Sequence, residues 1–467
     1  MIFLVYAIDS CKLFSIYAFI CTCHVCGTVL LFVKLTLIAE DKVFIKTCKR
    51  VFCLNGVVLS TLLCNAIEHY DFMVYGIMSS TLNKVFFVQG ELFSGTNSTY
   101  LATLIGFLVF AAAFVSRPLG AVFFGYVGDK KGRKVALTLS TGLLVTSVLG
   151  MALLPTPKVW GILSILFLAL LRVVQGLAFG AEVGGVVLMA ETVGGRKVHA
   201  IWVARIFSTT VGTILGVFVV RMCELILSPE HMNDWGWRIP FFAAVLVSLP
   251  LPYLRKFLHE SAEYVEYKAS GQRENIFKSL CCNISSVLLI ISMSALSSGF
   301  FYMSVVYMDI VHKSMFLEHE MSMLVLALVA CSSLAVLDFA KRKTCFILIL
   351  LLIALTAYPT VYFIGKGYMV ARVLYFSLLG LYIGWYGSFI ALIFPVGARQ
   401  TCFSFAYSCG YLTGALSPAL CLWFSHITGK DIMPALYITF LSCVIALIFT
   451  FGVRVEGDRY RLTFSKC

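Results

Sequence analysis

Residues 125–134 of the chain read Gly-Tyr-Val-Gly-Asp-Lys-Lys-Gly-Arg-Lys, and this segment stands between two long apolar runs. Asp129 and Arg133 within it are four residues apart, the spacing at which side chains on one helical turn meet. Its glycines permit a tight turn and the close approach of a neighbouring helix. Cations are common at the cytoplasmic turns of membrane proteins, but that tendency explains neither Asp129 nor the glycine spacing. The segment therefore has a specific structural role.

Twelve apolar runs follow one another after residue 50, and the two beside this segment are the second and the third. Each is about 20 residues long, the length of a helix that crosses a bilayer. The runs are centred within residues 52–78, 101–125, 135–154, 160–189, 200–222, 239–256, 283–309, 321–339, 345–364, 369–394, 401–425 and 432–453. We therefore predict twelve membrane-spanning helices.

The composition of the whole chain agrees with this prediction. Apolar residues make up 60% of the chain and charged residues only 13%, whereas soluble domains average about 45–50% and about 25%. A soluble enzyme could not bury this much apolar surface in its cores, and a disordered chain would carry more charge. The sequence thus predicts an all-α integral membrane protein.

Lysine and arginine are concentrated in alternate linkers between the predicted spans, for example at 46–50, 130–134, 255–278 and 341–343. The net charge of +13 would suggest a nucleic-acid partner for a soluble protein. In a multi-spanning protein, cations on one side mark the cytoplasmic face. We therefore predict no nucleic-acid partner, and we predict that both ends of the twelve-helix unit face the cytoplasm.

The longest polar stretch lies between the sixth and seventh spans, which predicts two halves joined by a linker. The predicted units are a first six-helix bundle, a linker, a second six-helix bundle and a cytoplasmic tail, at residues 51–256, 257–280, 281–453 and 454–467. Residues 1–50 form a hydrophobic N-terminal extension, which is either a thirteenth span over 13–33 or a wrongly assigned start; we favour the second interpretation.

Metal or nucleotide chemistry has little support in the sequence. The 17 cysteines lie mostly inside apolar runs, where a thiol behaves as a small hydrophobic group. Cys21, Cys23, His24 and Cys26 come closest to a metal-binding motif, but residues so close together on one helix point in different directions. We expect no metal, no cofactor and no enzyme active site.

Further stretches narrow the prediction. Besides residues 125–134, they are 65–76 in the first span, 172–185 in the fourth, 236–241 in the sixth, and a degenerate second copy of the 125–134 pattern at 338–342. Together they resemble the metabolite:proton symporter branch of the major facilitator superfamily, from about residue 49 to the end of the chain. The resemblance implies a twelve-helix fold of two six-helix bundles in the inner (cytoplasmic) membrane of the cell.

The resemblance also implies a conformational latch at the cytoplasmic side. Glu191 and Arg196 match an acidic and basic pair of the family and would join Asp129 and Arg133. Asp338 and Arg342 repeat the separation of Asp129 and Arg133 in the second half. A latch of this kind would hold the two halves together in one conformer and break in the other, as alternating access requires.

Acidic residues at membrane depth predict proton coupling. Glu68, Asp71 and Tyr75 follow one another at helical spacing and would share a face of the first span. A charge at this depth costs roughly 2.5–3.5 kcal/mol on insertion scales, so it is a functional hypothesis by default. Two neighbouring carboxyl groups in a low dielectric resist double ionisation, so one can load and unload a proton. Neutralisation by Arg172 or by water is the static alternative.

The fourth span adds Arg172, Gln175 and Glu182. Arg172 stays charged and must face a carboxylate, a group of carbonyls or an anionic substrate; the resemblance links it to coupling. We therefore predict that Glu68, Asp71, Arg172 and Glu182 couple transport to protons. The residues predicted to line the substrate cavity are Asn65, Tyr75, Gln175, Arg372, Trp385 and Tyr386.

The function predicted from these features is proton-coupled symport of a small organic solute, either a proline- or betaine-like zwitterion or an organic acid. Leu392 replaces an acidic residue that the family usually carries, which leaves the substrate open. A 2-oxoglutarate or dicarboxylate symporter, an uncoupled exchanger or uniporter and a transporter-like receptor are the alternatives. The expected partners are the solute, protons and the lipid bilayer, and we expect a functional monomer.

Overall fold

A computed structural model describes most of the chain after residue 55. The described residues are 56–88, 98–193, 197–256, 258–271, 274–303, 325–330, 339–390, 393–428, 432–456 and 459–462. The predicted extension at 1–50 and two residues of the predicted latch, Arg196 and Asp338, lie outside them.

The first half is helical, because its long apolar runs satisfy their backbone hydrogen bonds within each helix. Its helices are α1 Gly56–Asn83, α2 Ser98–Lys131, α3 Arg133–Leu153, α4 Ile162–Phe179, α5 Glu182–Val193, α6 Lys197–Ile226, α7 Ile239–Ser248 and α8 Leu251–Lys256. A π-helical turn Lys84–Val88 extends α1, and short helices Pro157–Trp160, Pro229–Asp234 and Gly236–Arg238 lie in the connections.

The linker and the second half continue the pattern. The helices are α9 Ala262–Ala269, α10 Ile276–Cys282, α11 Ile284–Tyr302, α12 Phe339–Gly365, α13 Met369–Ile390, α14 Arg399–Thr428 and α15 Met433–Gly452. Ser261 caps α9 and Asn275 caps α10, because each side chain accepts the backbone N–H three residues ahead.

Within the described residues, nine helical segments are long and apolar enough to cross a membrane. The long helices α1 and α14 carry more polar residues, and they coincide with the predicted first and eleventh spans. The eighth span, predicted at 321–339, is described only at 325–330 and 339. The described helices follow the predicted order, and the predicted membrane fold is confirmed. The exact boundaries of the two bundles and the linker stay a prediction.

The structure refines two local expectations. The glycines of the segment 125–134 predict a tight turn between the second and third spans, and the structure narrows it to Gly132, because α2 runs to Lys131 and α3 begins at Arg133. Gly132 has a φ of 119°, which only glycine adopts without strain. The fourth span is divided between α4 and α5 at residues 180–181. The break places Glu182 at the start of a helix.

The segment predicted to be a cytoplasmic tail departs from the all-α prediction. Strands β1 Val453–Glu456 and β2 Arg459–Leu462 pair antiparallel, with Arg454 opposite Arg461 and Glu456 opposite Arg459. The hairpin follows α15 directly and forms where the apolar run ends. It does not alter the helical fold that precedes it.

Glycines set the closest helix contacts, as expected where apolar lipid removes the hydrophobic drive for helices to associate. A Cβ at Gly176 would lie 2.1 Å from the carbonyl oxygen of Ala113, and one at Gly212 would lie 1.9 Å from that of Ala66. These positions join α4 to α2 and α6 to α1. Across the halves, α2 packs against α14 and α6 against α13. The functional side chains lie at and beside these contacts.

Candidate functional site

Glu182 is the centre of a buried charged cluster in the first half. Its Oε2 lies 2.9 Å from the Nη2 of Arg117 on α2, and its Oε1 lies 2.5 Å from the Nη2 of Arg205 on α6. The Nε2 of His69 is 3.9 Å from the same Oε1. Asn65 on α1 lies between Glu182 and α6, and the amide orientation that satisfies both puts its nitrogen 3.0 Å from Oε1. We call these five residues the Glu182 cluster.

The position of Glu182 follows from the break between α4 and α5. A carboxylate in the first turn of a helix faces unpaired N–H groups and the positive end of the helix dipole. Two guanidinium contacts add charge-assisted hydrogen bonds, which are stronger than neutral ones. Glu182 is therefore held as a carboxylate.

Aromatic residues of the second half cover the two arginines of this cluster. The guanidinium carbon of Arg117 lies 4.9 Å from the ring centre of Tyr411, and that of Arg205 lies 5.9 Å from the ring centre of Tyr407. Tyr407 and Tyr411 stack on each other with ring centres 4.5 Å apart. The Glu182 cluster thus lies where α14 meets the first half.

A small cavity opens beside the cluster, with Asn65, Glu68, Glu182, Arg205 and Arg255 supplying most of its polar lining. Arg255, at the end of α8, has its Nη2 3.8 Å from the Oε1 of Glu68. With Arg117, the group contains three arginines and two glutamates, and 3 − 2 gives a net charge of +1 with neutral His69. Arg117 lies outside the cavity lining, in which Arg205 and Arg255 balance Glu68 and Glu182, so the excess positive charge that favours an anionic solute belongs to the wider group.

A second cluster forms around Asp71. Gln175 on α4 donates to the Oδ2 of Asp71 and accepts from the Nη1 of Arg172. The guanidinium carbon of Arg172 lies 3.8 Å from the ring centre of Tyr75. The Oδ1 of Asp71 is buried and has no hydrogen-bond partner among the described residues. We call these four residues the Asp71 cluster.

The predicted proton-coupling residues are thus divided between separate groups. Asp71 and Arg172 share the Asp71 cluster, Glu182 has its own arginines, and Glu68 faces Arg255. Glu68 and Asp71 are close in sequence, but a separation of three residues leaves enough rotation on α1 for each to meet a different neighbouring helix.

The latch residue Asp129 joins the two halves directly. Its carboxylate accepts the backbone N–H of Gln400 at 3.2 Å and that of Thr401 at 2.9 Å, and the hydroxyl of Thr401 donates to it at 2.6 Å. Asp129 lies in the last turn of α2 and these donors lie in the first turn of α14, so a side chain from one half caps a helix of the other. Its Oδ1 lies 3.4 Å from the Nη1 of Arg133.

Glu191, at the end of α5, completes the latch. Its Oε1 accepts from Arg133 at 3.1 Å and from Arg399 at 2.9 Å, and its Oε2 accepts from Ser261 at 2.6 Å. Arg133 also donates to the backbone oxygen of Val396 at 2.8 Å. The structure therefore brings together three predicted latch residues and adds Arg399 of the second half.

The linker after α8 contacts the latch at several points. Glu260 accepts the backbone N–H groups of Arg133 and Lys134 at 3.0 and 2.9 Å, and it caps α3. Glu263 pairs with Arg399 at 2.8 Å. The hydroxyl of Tyr264 donates to the backbone oxygen of Asp129, and burial raises the pKa of Tyr264, which keeps it a donor.

The other predicted residues do not belong to these clusters, although Tyr386 borders the Glu182 cluster through Trp202, whose ring centre lies 5.3 Å from the guanidinium carbon of Arg205. Tyr386 packs on Trp202 with ring centres 5.1 Å apart, and Trp385 faces His199 at 6.3 Å. Arg372 is half-buried near the start of α13, and Arg342 is buried in α12. They are not among the residues that line the cavity beside Glu182.

Arg117, Arg205 and Arg255 are the functional candidates that sequence reasoning missed or left aside. Arg117 stands inside the long apolar helix α2, which is the signal that could have identified it. Arg205 has the same signal in α6. Arg255 precedes Lys256 in a linker rich in cations, which predicts a cytoplasmic surface charge, but the structure buries it fully.

Comparisons with known proteins agree with the membrane-transporter fold described above. The family model for sugar and other transporters matches residues 57–278. The chain is 31% identical over 431 residues to the inner membrane metabolite transport protein YhjE of Escherichia coli (strain K12), covering 86% of this chain and 95% of that protein. The chain belongs to the major facilitator superfamily. The predicted resemblance is thereby confirmed.

Two further relatives in the superfamily differ in their named substrates. The citrate-proton symporter of Klebsiella pneumoniae is 28% identical over 404 residues, covering 83% of this chain and 89% of that protein. The proline/betaine transporter of Salmonella typhimurium is 27% identical over 431 residues, covering 87% and 84%.

The superfamily fold is also seen in a solved structure. The proton:xylose symporter XylE matches with a TM-score of 0.68 at 15% identity, covering 85% of this chain and 95% of XylE. In this major facilitator chain, Asp129, Arg133, Glu191 and Arg399 form the contact that closes the two halves at one end.

Proposed function

We propose that this protein carries a small organic solute with a carboxylate group across the bacterial inner membrane together with protons, by alternating access. The observation that carries the proposal is the buried charged group at the cavity beside Glu182, in which three arginines, counting Arg117 behind the lining, stand against two carboxylates. A carboxylate can form paired hydrogen bonds with a guanidinium group. The names of the citrate and proline/betaine relatives support the same class of solute, and the name of the citrate-proton symporter supports the coupling to protons.

The geometry favours an organic acid over a betaine. A quaternary ammonium group binds best against the open face of an aromatic ring. Here guanidinium groups already lie over Tyr411 and Trp202, at 4.9 and 5.3 Å from the ring centres. We therefore place citrate-like and dicarboxylate solutes ahead of glycine betaine and proline.

Glu68 and Asp71 are our proposed proton carriers. Glu182 makes two close contacts with arginine, whereas Glu68 is 3.8 Å from Arg255, and one oxygen of Asp71 lacks a hydrogen bond among the described residues. A buried carboxyl group with weak compensation is stable when it holds a proton and costly when it is charged. These two groups can therefore load and release protons while Glu182 stays charged.

The latch contacts define which conformer of the transport cycle the structure represents. Its contacts join α2, α3 and α5 to the start of α14, and the excess of lysine and arginine at this end supports a cytoplasmic location. We infer that both ends of the helical unit are cytoplasmic, that the cytoplasmic path is closed here, and that one chain suffices for transport.

Uptake into proteoliposomes tests the proposal. Purified protein is reconstituted, and radiolabelled citrate, 2-oxoglutarate, proline and glycine betaine are offered with and without an inward proton gradient. We expect a carboxylate solute to accumulate above its external concentration only with the gradient, and a protonophore to abolish accumulation. Equal uptake without the gradient would indicate a uniporter or exchanger, and binding without uptake would indicate a receptor.

A further inference from the structure

Arg255 and Glu68 form a buried pair that is only partly satisfied. Their side chains are 2% and 8% exposed, and the 3.8 Å between Nη2 and Oε1 is too long for a direct hydrogen bond. The Nε of Arg255 donates to Thr141 on α3 at 3.2 Å. Its Nη1 is buried and has no hydrogen-bond partner within the described part of the chain. The pair is therefore poised to change when the charge of Glu68 changes.

The other charged groups near Glu68 are engaged elsewhere. Glu182 from α5, Arg205 from α6 and Arg117 from α2 face Glu68, but they pair with one another at 2.5 to 2.9 Å. The remaining titratable neighbours are His69 and Cys64 on α1 itself; His69 contacts Glu182 and the backbone oxygen of Asn65. Among the described residues, Arg255 is thus the cation whose main carboxylate partner is Glu68.

The chain after Arg255 leads straight to the latch. Leu258 is fully buried and packs with Val57, Leu137 and Leu188, which fixes the segment against three helices. Glu260 and Ser261 follow and contact Arg133 and Glu191. Arg255 and the latch contacts of Glu260 and Ser261 are thus joined by a short packed segment, through which a displacement of Arg255 can reach the latch.

We propose that Arg255 transmits the protonation of Glu68 to the cytoplasmic latch. This inference rests on the proposed proton-coupled function. A proton that enters from the outside binds the carboxylate of Glu68 and leaves the guanidinium of Arg255 as an uncompensated buried cation, which is strongly unfavourable. Arg255 then moves toward the cytoplasmic water and draws Glu260 and Ser261 off Arg133 and Glu191. Release of the proton to the cytoplasm restores the carboxylate, the pair and the closed latch.

Cys402 offers a readout of latch closure in the natural chain. It is fully buried three residues after Arg399, whereas Cys281 is exposed in the linker region. We would treat reconstituted protein with N-ethylmaleimide and measure alkylation of the two cysteines by mass spectrometry. Cys281 serves as the reference within the same molecule.

A set of charge variants tests the inference without any proton gradient. Glu68→Gln mimics the protonated acid, and we expect it to raise the alkylation rate of Cys402 several-fold relative to Cys281. The double variant Glu68→Gln/Arg255→Gln removes the stranded cation, so the rate should return toward that of the natural protein. The double variant Glu68→Gln/Arg255→Lys keeps the cation, so Cys402 should be alkylated as fast as in Glu68→Gln. Equal rates in the two double variants would overturn the proposal, as would an unreactive Cys402 in Glu68→Gln.

Transport measurements supply a separate test. Arg255→Gln should lose gradient-driven accumulation while solute exchange across the membrane persists, and Arg255→Lys should restore part of the accumulation. Arg255→Gln that accumulates solute as the natural protein does would contradict the proposal. If the natural protein itself ignores the gradient, the proposed function fails, and the alkylation series still decides whether Arg255 controls the latch.

Discussion

Asp129 on α2 accepts the backbone N–H of Thr401, the third residue of α14, at 2.9 Å. The contact joins the two halves of the protein through a helix cap, in which a carboxylate meets the positive end of a helix dipole. It is reinforced by the hydroxyl of Thr401 at 2.6 Å. Because a cap of this kind can form only when the halves are in contact, Asp129 stabilises the closed conformer over the open one.

Replacing Asp129 with asparagine should slow uptake while leaving the amount of protein in the membrane unchanged. The amide keeps the shape but loses the charge, which is worth about 0.3–1 kcal/mol at a helix terminus and up to ~2 kcal/mol when buried. We expect uptake to fall roughly five-fold, since 1 kcal/mol corresponds to about that factor. Initial rates of gradient-driven uptake measure the change.

Asp234→Asn is the matched control, because Asp234 is exposed in a short helix and pairs loosely with Lys158 at 3.8 Å. The uptake rate of Asp234→Asn should match that of the natural protein. An unaltered rate in Asp129→Asn would remove the helix cap from the mechanism.

Gly125→Ala should prevent the latch from closing. A Cβ at this position would lie 2.6 Å from the Cα of Thr401, which is backbone and cannot rotate away. We expect Cys402 to become alkylated faster and uptake to fall sharply. Gly142→Ala is the control, since a Cβ there has no atom within 4 Å. Protection of Cys402 in Gly125→Ala at the natural level would show that α14 does not move away from α2.

The fold could be predicted from the sequence because span length and charge placement are local properties. The apolar runs and the linker cations gave the helix order, and the motif at 125–134 gave the family. The exact turn could not be predicted, because the spacing of Asp129 and Arg133 fits both a continuous helix and the observed turn at Gly132. The observed turn is supported by a tertiary contact, because Glu260 accepts the backbone N–H groups of Arg133 and Lys134 at the start of α3.

The candidate site was only partly predictable. Residue type identified Glu68, Asp71, Arg172 and Glu182 as unusual at membrane depth, but it could not assign their partners. The partner of a buried charged residue depends on which helices pack together and on the depth in the membrane at which they cross. Neither property can be inferred from the local sequence. Arg255 is the clearest case, since its neighbour Lys256 made it resemble a loop charge although it is fully buried.

Arg117→Lys should weaken binding of the solute more than it slows turnover. Lysine keeps the charge but cannot form the paired hydrogen bonds of a guanidinium group with a carboxylate. A lost charged hydrogen bond is worth ~1.5–3 kcal/mol, so KM should rise by about ten-fold or more. Arg221→Lys is the control, because Arg221 pairs with Glu224 at a half-exposed site near the end of α6. If the KM of Arg117→Lys equals that of the natural protein, the solute does not bind at Arg117.

Asp71→Asn should abolish accumulation against a gradient while exchange of the solute continues. The amide can still accept the hydrogen bond from Gln175, so the cluster keeps its shape, but it cannot carry a proton. Accumulation and exchange are measured on the same vesicles, and Asp71→Glu, which keeps an acid, should recover part of the accumulation. If Asp71→Asn accumulates the solute as the natural protein does, Asp71 is excluded as a proton carrier and Glu68 remains the proposed one.

Glu182→Gln should bind the anionic solute more tightly and release it more slowly. The change removes the carboxylate that holds Arg117 and Arg205, so the net charge of the cavity group rises from +1 to +2. Both guanidinium groups then become available to the carboxylate of the solute, and KM should fall while the maximal rate falls with it. Equilibrium binding of the labelled solute, measured beside uptake, separates the two effects. A raised KM would mean that Glu182 contacts the solute itself instead of competing with it for the arginines.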